Sequence, residues 1–232
     1  LIVTASKREH QSFFDNPYNY DESIVQLLGF PRFDNLKTGR EKNQILIMPT
    51  WRRFFINSTK EEIKNSNYIK HTNSLLNNKE LINYSKNNGF DIIFKPHPNL
   101  YEFIDLVEAN EYVKIDYDSS YQKLLKKSKL FITDYSSIVF DFAYMKKPLI
   151  YYQYENDGFH FDLSESYFDF ESMGFGEVVN TEQKLVSLIE NTIDNNCGMD
   201  KKFENRVDEF YEFNDTDNCK RVYEFILNMD NK

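Results

Sequence analysis

Cysteine, proline and glycine are all scarce in this 232-residue sequence, with two, six and seven copies. The two cysteines, Cys197 and Cys219, lie in polar segments without metal-ligand spacing. No metal module is indicated, and a reducing cytoplasm is the simplest setting, with a single disulfide left open. So little glycine and proline excludes a collagen-like or disordered chain. No apolar run approaches the ~20 residues of a membrane-spanning helix, and no signal peptide is recognisable. The sequence also lacks G-x-x-x-x-G-K-[ST], G-x-G-x-x-G and G-x-S-x-G, which disfavours P-loop NTPases, dinucleotide enzymes and serine hydrolases. Positive charge is in the minority, 28 Lys and Arg against 37 Asp and Glu, for a net −9. That balance argues against a nucleic-acid partner, whose phosphates most of this surface would repel.

Aromatics are plentiful instead. The 21 Phe and 16 Tyr bring aromatics to 16% and hydrophobic residues stand at 41%, enough for a sizeable core in one large domain, or one domain with part of another. Short apolar runs alternate with longer mixed segments, the pattern of βα units around a parallel sheet. "ILIMPT" (Ile45 to Thr50) reads as a strand buried on both faces. Residues 59–88 carry helix signals that stop at Asn87-Asn88-Gly89. Further strands are expected at Asp91–Phe94, Tyr112–Ile115, Leu130–Thr133, Leu149–Tyr152 and Gly176–Val179. Helices are expected near residues 102–109, 121–127 and 137–145. Three helices finish the chain. Leu185, Leu188, Ile189 and Thr192 share a face of the first, and Val222, Phe225, Ile226 and Met229 form an apolar stripe on the last. No repeat of solenoid period is present. "LIVTAS" reads as a strand already under way at Leu1, so a removed N-terminal portion is expected, with a turn-rich boundary in "FDNPYNYD" (Phe14 to Asp21). The expected fold class is α/β, a Rossmann-like parallel sheet with flanking helices.

Ligands of such sheets bind beyond the carboxyl ends of the strands. Three strand ends carry polar chemistry: Pro49-Thr50-Trp51-Arg52-Arg53, Lys95-Pro96-His97-Pro98 and Thr133-Asp134-Tyr135-Ser136-Ser137. Ser136 and Ser137 suit a helix N-terminus, where they either cap the helix or join its open amides in binding phosphate. Arg52 offers a planar fork matched to phosphate oxygens, or else a surface ion pair. His97, held between prolines, is a candidate phosphate contact, although a lone histidine is more often structural. Asp116-Tyr117-Asp118 is a D-x-D, a tripeptide that holds metal in some transferases, but a turn explains it here.

Taken in order, "LGFPRFD" (Leu28 to Asp34), "ILIMPTWR", "FKPHP" (Phe94 to Pro98) and "LFITDYSSIVFDFAYMKKPLIYY" (Leu130 to Tyr152) resemble the CDP-glycerol glycerophosphotransferase family of teichoic-acid and capsule biosynthesis. "GFHFDL" and the downstream "GFGEVV" match more weakly. The match covers nearly everything from about Glu22 onward. Two positions depart from the family pattern, Phe33 where Asn is common and Met48 where Ala is common, and neither is expected to touch the polar groups.

The resemblance implies the C-terminal, donor-binding half of a GT-B fold. Residues 1–20 would be a remnant or linker of the missing N-terminal domain and residues 21–232 the Rossmann-like donor domain. The last helix would ordinarily pack back towards that missing domain, leaving its stripe partly uncovered here. The implied reaction moves glycerol phosphate, or a similar alditol phosphate, from CDP-glycerol to a growing polymer and releases CMP, with no metal or other cofactor required. In this reading Ser136, Ser137, Arg52 and Thr50 hold the donor pyrophosphate and His97 is catalytic. Asp134, Tyr135, Asp141, Lys95, Arg32 and Tyr117 orient those groups or border the nucleotide. A general base, a histidine in the family pattern, would lie on the missing domain, and His10, His71 and His160 match no motif. The acceptor would be a lipid-linked polymer, which places the longer enzyme in the cytoplasm, peripheral on the inner face of the membrane. Two other readings share the fold: a glycosyltransferase or sugar-nucleotide epimerase using a UDP- or GDP-sugar, and a non-catalytic interaction module.

Overall fold

The computed structural model of the chain describes residues 1–15, 20–37, 39–154 and 168–229. The "GFHFDL" segment with His160, and residues 16–19 of the expected boundary, lie outside the described residues. Strand β1 (Ile2–Thr4) leads into helix α1 (Lys7–Asp15), and β2 (Val25–Leu27) pairs with β1 in parallel, Ile2 opposite Val25. These two strands form a small sheet of their own. A division at residue 20 therefore runs between two strands of one sheet.

The main sheet begins with β3 (Gln44–Ile47). The helix-rich segment resolves into α2 (Lys60–Asn65), α3 (Asn67–Leu76) and α4 (Lys79–Asn87), each started by a polar cap. Thr59 and Glu62 form a reciprocal capping box, while the Ser66 and Asn78 side chains accept the amides of Ile69 and Leu81. After α4 the chain turns at Gly89, whose φ of +68° suits a residue without a side chain.

There follow β4 (Asp91–Phe94), β5 (Val113–Ile115), α5 (Tyr121–Lys127), β6 (Leu130–Thr133), α6 (Val139–Tyr144) and β7 (Leu149–Tyr152). Then come α7 (Phe170–Met173), β8 (Gly176–Val179), α8 (Glu182–Asp194), α9 (Lys201–Phe210) and α10 (Asn218–Met229). The helix expected near residues 102–109 is instead a 3-10 stretch over Pro98–Leu106. Pro98 fits its first turn, but Phe103 departs from helical geometry and breaks the run.

All six strands of the main sheet are parallel, in the order β5-β4-β3-β6-β7-β8. Ile45, Ile47, Ile92, Phe94, Ile132 and Ile150 face one side, against α3, α4 and α8. Leu46, Ile93, Phe131, Leu149 and Tyr151 face the other, against α5, α6 and α9. Burial on both faces is why these strands read as continuous apolar runs. On α8 the buried stripe is Leu185, Val186, Ile189 and Ile193, turned from the expected Leu185, Leu188, Ile189 and Thr192. Thr192 returns its hydroxyl to the Leu188 carbonyl, so branched aliphatic Ile193 takes the buried place. Both cysteines are free in this structure.

Helix α10 docks on the 3-10 turn Pro31–Asn35. The Asp34 carboxylate accepts the amides of Asn218 (2.9 Å) and Cys219 (2.7 Å) and the Asn218 side-chain NH2 (2.6 Å), capping the helix from another element. Burial alone would raise the Asp34 pKa, but these bonds outweigh it and hold it below the ordinary carboxylate range. Gly29 makes the approach possible, since a Cβ there would stand 1.9 Å from Asn218 Oδ1. Val222 and Phe225 are half-buried, whereas Ile226 and Met229 are 46% and 50% exposed, a stripe partly uncovered as the resemblance implies.

Replacing the cap, Asp34→Ala, is expected to lower unfolding stability by about 1 kcal/mol and to speed hydrogen exchange at Asn218 and Cys219. Because the folded pKa is depressed, the stabilisation is complete above the unfolded value of roughly 3.9 and is lost as pH falls through the folded one. Urea unfolding at neutral and acid pH should show the gap between wild type and variant closing in acid; a gap that persists there rules the charged cap out.

Candidate functional site

Strand order reverses between β3 and β6, and an open sheet forms its crevice beyond the strand ends at such a reversal. The segment from Pro49 to Arg52 leaves β3 there and the segment from Asp134 to Ser137 leaves β6, with Lys95 to His97 leaving the adjacent β4. The three expected segments converge.

The centre of the arrangement is Asp134, 1% exposed. Its Oδ1 accepts the amides of Thr50 (2.8 Å) and Tyr135 (2.7 Å), and its Oδ2 accepts Arg52 Nη1 (2.8 Å). Arg52 is 2% exposed, and the same Nη1 also donates to the Thr50 carbonyl at 2.6 Å. Tyr68 and Tyr135 lie against the guanidinium, their ring centroids 5.2 and 5.8 Å from Cζ. Burial works against the Arg52 charge, but Asp134, together with Tyr154 and Tyr68, more than offsets it and keeps the Arg52 pKa raised. Arg52 is thus placed as an internal brace, buried and paired with Asp134. Thr50 enters through its backbone, for its hydroxyl is buried with no hydrogen-bond partner among the described residues.

The turn after Asp134 is different. Regular helix begins only at Val139, and Ser136 Oγ accepts the Ile138 amide at 3.3 Å. The carbonyls of Ser136 and Ser137 accept the Val139 and Phe140 amides. Capping is thus shared out within the turn. Among the described residues, the amides of Ser136 and Ser137 and the exposed Ser137 hydroxyl make no hydrogen bond. Open donors at the first turn of α6 suit an anion.

His97 opens the 3-10 stretch, with Nδ1 accepting the Asn99 amide at 3.1 Å. Its ring stacks on Trp51 at 5.8 Å between centroids and 27° between planes, and burial lowers its pKa. Trp51 was not singled out in the sequence, although its place between Thr50 and Arg52 was the available signal. Lys95 is 4% exposed and donates to the Tyr117 carbonyl at 2.7 Å, which the Tyr101 hydroxyl also meets at 3.3 Å. Lys95 therefore fixes the loop that presents Tyr117, whose side chain remains well exposed. Asp116 accepts the Ser119 amide at 2.8 Å, the turn that the D-x-D suggested.

Arg32 and Asp141 find each other across 109 residues, with Nε at 3.1 and 3.0 Å from the two carboxylate oxygens and Nη2 at 2.9 Å from Oδ1. The guanidinium lies over Phe30 and Phe33, at 4.3 and 5.0 Å from their centroids. Phe33 thus touches a polar group of the site after all. The Met48 carbonyl accepts the Thr133 hydroxyl at 2.7 Å, outside those polar groups.

Residues 2–228 match the family model for CDP-glycerol:poly(glycerophosphate) glycerophosphotransferase. The chain is 42% identical over 241 residues to the minor teichoic acid biosynthesis protein GgaB of Bacillus subtilis (strain 168), covering all of this chain and 26% of that protein. It is 30% identical over 200 residues to a teichoic acid poly(glycerol phosphate) polymerase of Bacillus spizizenii, covering 84% of this chain and 47% of the polymerase. Its fold superposes on the wall teichoic acid polymerase TagF with a TM-score of 0.70 at 18% identity, covering 99% of this chain and 57% of TagF. The chain thus spans between about a quarter and somewhat over half of the length of these relatives.

Removing either partner of the Asp134–Arg52 pair leaves an uncompensated buried charge, so Asp134→Ala and Arg52→Ala should each cost about 3–5 kcal/mol in urea unfolding. The double variant should lose clearly less than the sum of the two. Additive losses would show that the pair does not act as a unit.

Proposed function

The chain belongs to the CDP-glycerol:poly(glycerophosphate) glycerophosphotransferase family, and we propose that it is the donor-binding half of an enzyme that transfers glycerol phosphate from CDP-glycerol to a teichoic-acid-like polymer. The observation that carries the reading is the Ser136–Ser137 turn, with its amides and one hydroxyl open at the end of β6 and its position fixed from beneath by Asp134. The donor pyrophosphate lies against that turn, where N–H groups and the start of α6 complement its charge.

The acceptor hydroxyl oxygen attacks the β-phosphorus of CDP-glycerol. A new P–O bond forms, the bond from that phosphorus to the bridging oxygen breaks, and CMP departs with the electron pair. The hydroxyl proton passes to a base supplied from outside this chain. Such a transfer needs positioning and neutralisation of charge more than covalent participation by the protein. His97, at the end of β4 with β3 between it and β6, meets the transferring phosphoryl group or the departing phosphate. Tyr117, held by Lys95, borders the cytosine, and Asp141, held by Arg32, lies at the first turn of α6 on the ribose side. The polymer acceptor is lipid-linked and approaches through the N-terminal domain, at the inner face of the membrane. Among the described residues no helix is long and apolar enough to cross a membrane.

Titration calorimetry with CMP, UMP and GMP tests the donor class. CMP is expected to bind most tightly, and CMP at 100 times its Kd should add about 2.7 kcal/mol of stability, read as a rise in Tm. The double variant Ser136→Ala/Ser137→Ala should bind CDP-glycerol about tenfold more weakly or worse. Tighter UMP binding would point to a UDP-sugar enzyme, and no nucleotide binding at all to a non-catalytic module.

A further inference from the structure

We infer that His97 works as a neutral imidazole with its proton on Nε2, a fixed hydrogen-bond donor to a phosphoryl oxygen rather than a proton acceptor, and that Trp51 is the positioning residue that keeps it so. The tautomer follows from one bond. Asn99 presents an N–H to Nδ1 at 3.1 Å, and an N–H can only donate. Nδ1 therefore contributes its lone pair, and the single proton of the neutral ring resides on Nε2. Forming the imidazolium would put a second N–H on Nδ1, opposite the Asn99 N–H, and would break that contact. Half-burial of the ring opposes the cation as well.

A base at this position would need a free lone pair. The neutral ring has one, and it is committed to Asn99. What remains available is the Nε2–H, which suits an oxygen on which negative charge develops. The locking bond is also structural. His97 is the residue before the 3-10 stretch Pro98–Leu106; its side chain takes the Asn99 amide and its carbonyl takes the Leu100 amide at 2.8 Å. The imidazole is the cap of that stretch, so changing the tautomer would unfasten the turn. Pro96 and Pro98 on either side limit the backbone alternatives.

The remaining freedom is rotation of the ring plane, and the Trp51 stack restrains it. Trp51 itself stands between Thr50 and Arg52, both tied to Asp134. The donor's plane is thus referenced to the carboxylate that also places the Ser136–Ser137 turn.

The test begins with the ring 15N spectrum of the 232-residue chain, in which His97 is one of four histidines and is assigned from the signal lost in His97→Gln. The expected result is a protonated-type Nε2 and an unprotonated-type Nδ1 at neutral pH. A protonated Nδ1, whether from the other tautomer or from the imidazolium, overturns the assignment. Trp51→Phe should retain the pattern, while Trp51→Ala should show averaged tautomers. A folded Trp51→Ala chain with the wild-type pattern removes Trp51 from its role, and if that variant does not fold, the wild-type pattern in a folded Trp51→Leu chain, which keeps bulk but no ring to stack, does the same. The catalytic half of the inference rests on the proposed transfer reaction. In the full-length enzyme His97→Ala should lose about 10²–10³ in kcat, whereas His97→Gln, which keeps an N–H donor near the Nε2 position, should stay within about tenfold of wild type. Equal loss in both variants overturns the donor role. Absence of transfer by the wild type from any CDP-alditol defeats the reaction instead, and the tautomer result still decides the lock.

Discussion

The Asp134 carboxylate lies where β3 and β6 end side by side, almost fully removed from water, and it is held by groups from both strand ends. Taking a carboxylate and a guanidinium out of water costs several kcal/mol per ion, which only close, well-directed partners offset. The Thr50 and Tyr135 amides and Arg52 supply that compensation, so the two loops are constrained to the conformations that bring them there. Gln153, following β7, adds a bond to the Asp134 carbonyl at 3.1 Å and ties in a third strand end. The Ser136–Ser137 turn starts two residues beyond the carboxylate and inherits its position.

This arrangement separates two tasks that the sequence merges. One cation and one anion are spent inside the protein to set geometry, and the groups left facing the crevice are largely uncharged: open amides, a serine hydroxyl and a histidine. Such donors do not depend on a net positive surface, which the chain, at −9, does not have. They are also pre-oriented, which in the proposed transfer would favour stabilisation of developing charge over simple attraction of anions.

The sheet was legible in the sequence because burial on both faces leaves an unbroken apolar run, as in Ile45-Leu46-Ile47 and Leu130-Phe131-Ile132. The convergence of three polar strand ends was equally legible, since parallel topology alone brings them together. Side-chain direction was not. Arg52 reads as an exposed fork until the depth of Asp134 is known, and Lys95 as a ligand group until the Tyr117 carbonyl is seen beside it. The pairing of Arg32 with Asp141 joins residues too far apart for any local pattern to reveal. On α8 the 3.6-residue period identified the helix but not which of two adjacent stripes is buried, because Leu188 and Thr192 complete the i, i+3, i+4, i+7 pattern from Leu185 while Val186 and Ile193 flank the same Leu185–Ile189 axis on its other side.

The segment from Gly29 to Asp34 shows how a motif can be structural and still govern the site. Gly29 admits α10, Asp34 caps it, and Phe33 packs against Tyr144 of α6 at 4.4 Å and Tyr211 at 5.8 Å. Arg32, between them, grips Asp141 one turn beyond Ser137. The last helix is therefore coupled to the helix that follows the Ser136–Ser137 turn through four neighbouring positions rather than through the sheet. Any displacement of α10, whose outer stripe of Ile226 and Met229 remains uncovered, acts first on Asp34 and on the Leu28 carbonyl that Arg221 holds, next to Arg32 in the same segment. A substitution here that preserved both polar links but altered the packing of Phe33 would tilt α6 without unfolding it, because the ring fills the space between two tyrosines on different elements. That is the physical sense in which Phe33, a departure from the family pattern, bears on the site without reaching into the crevice.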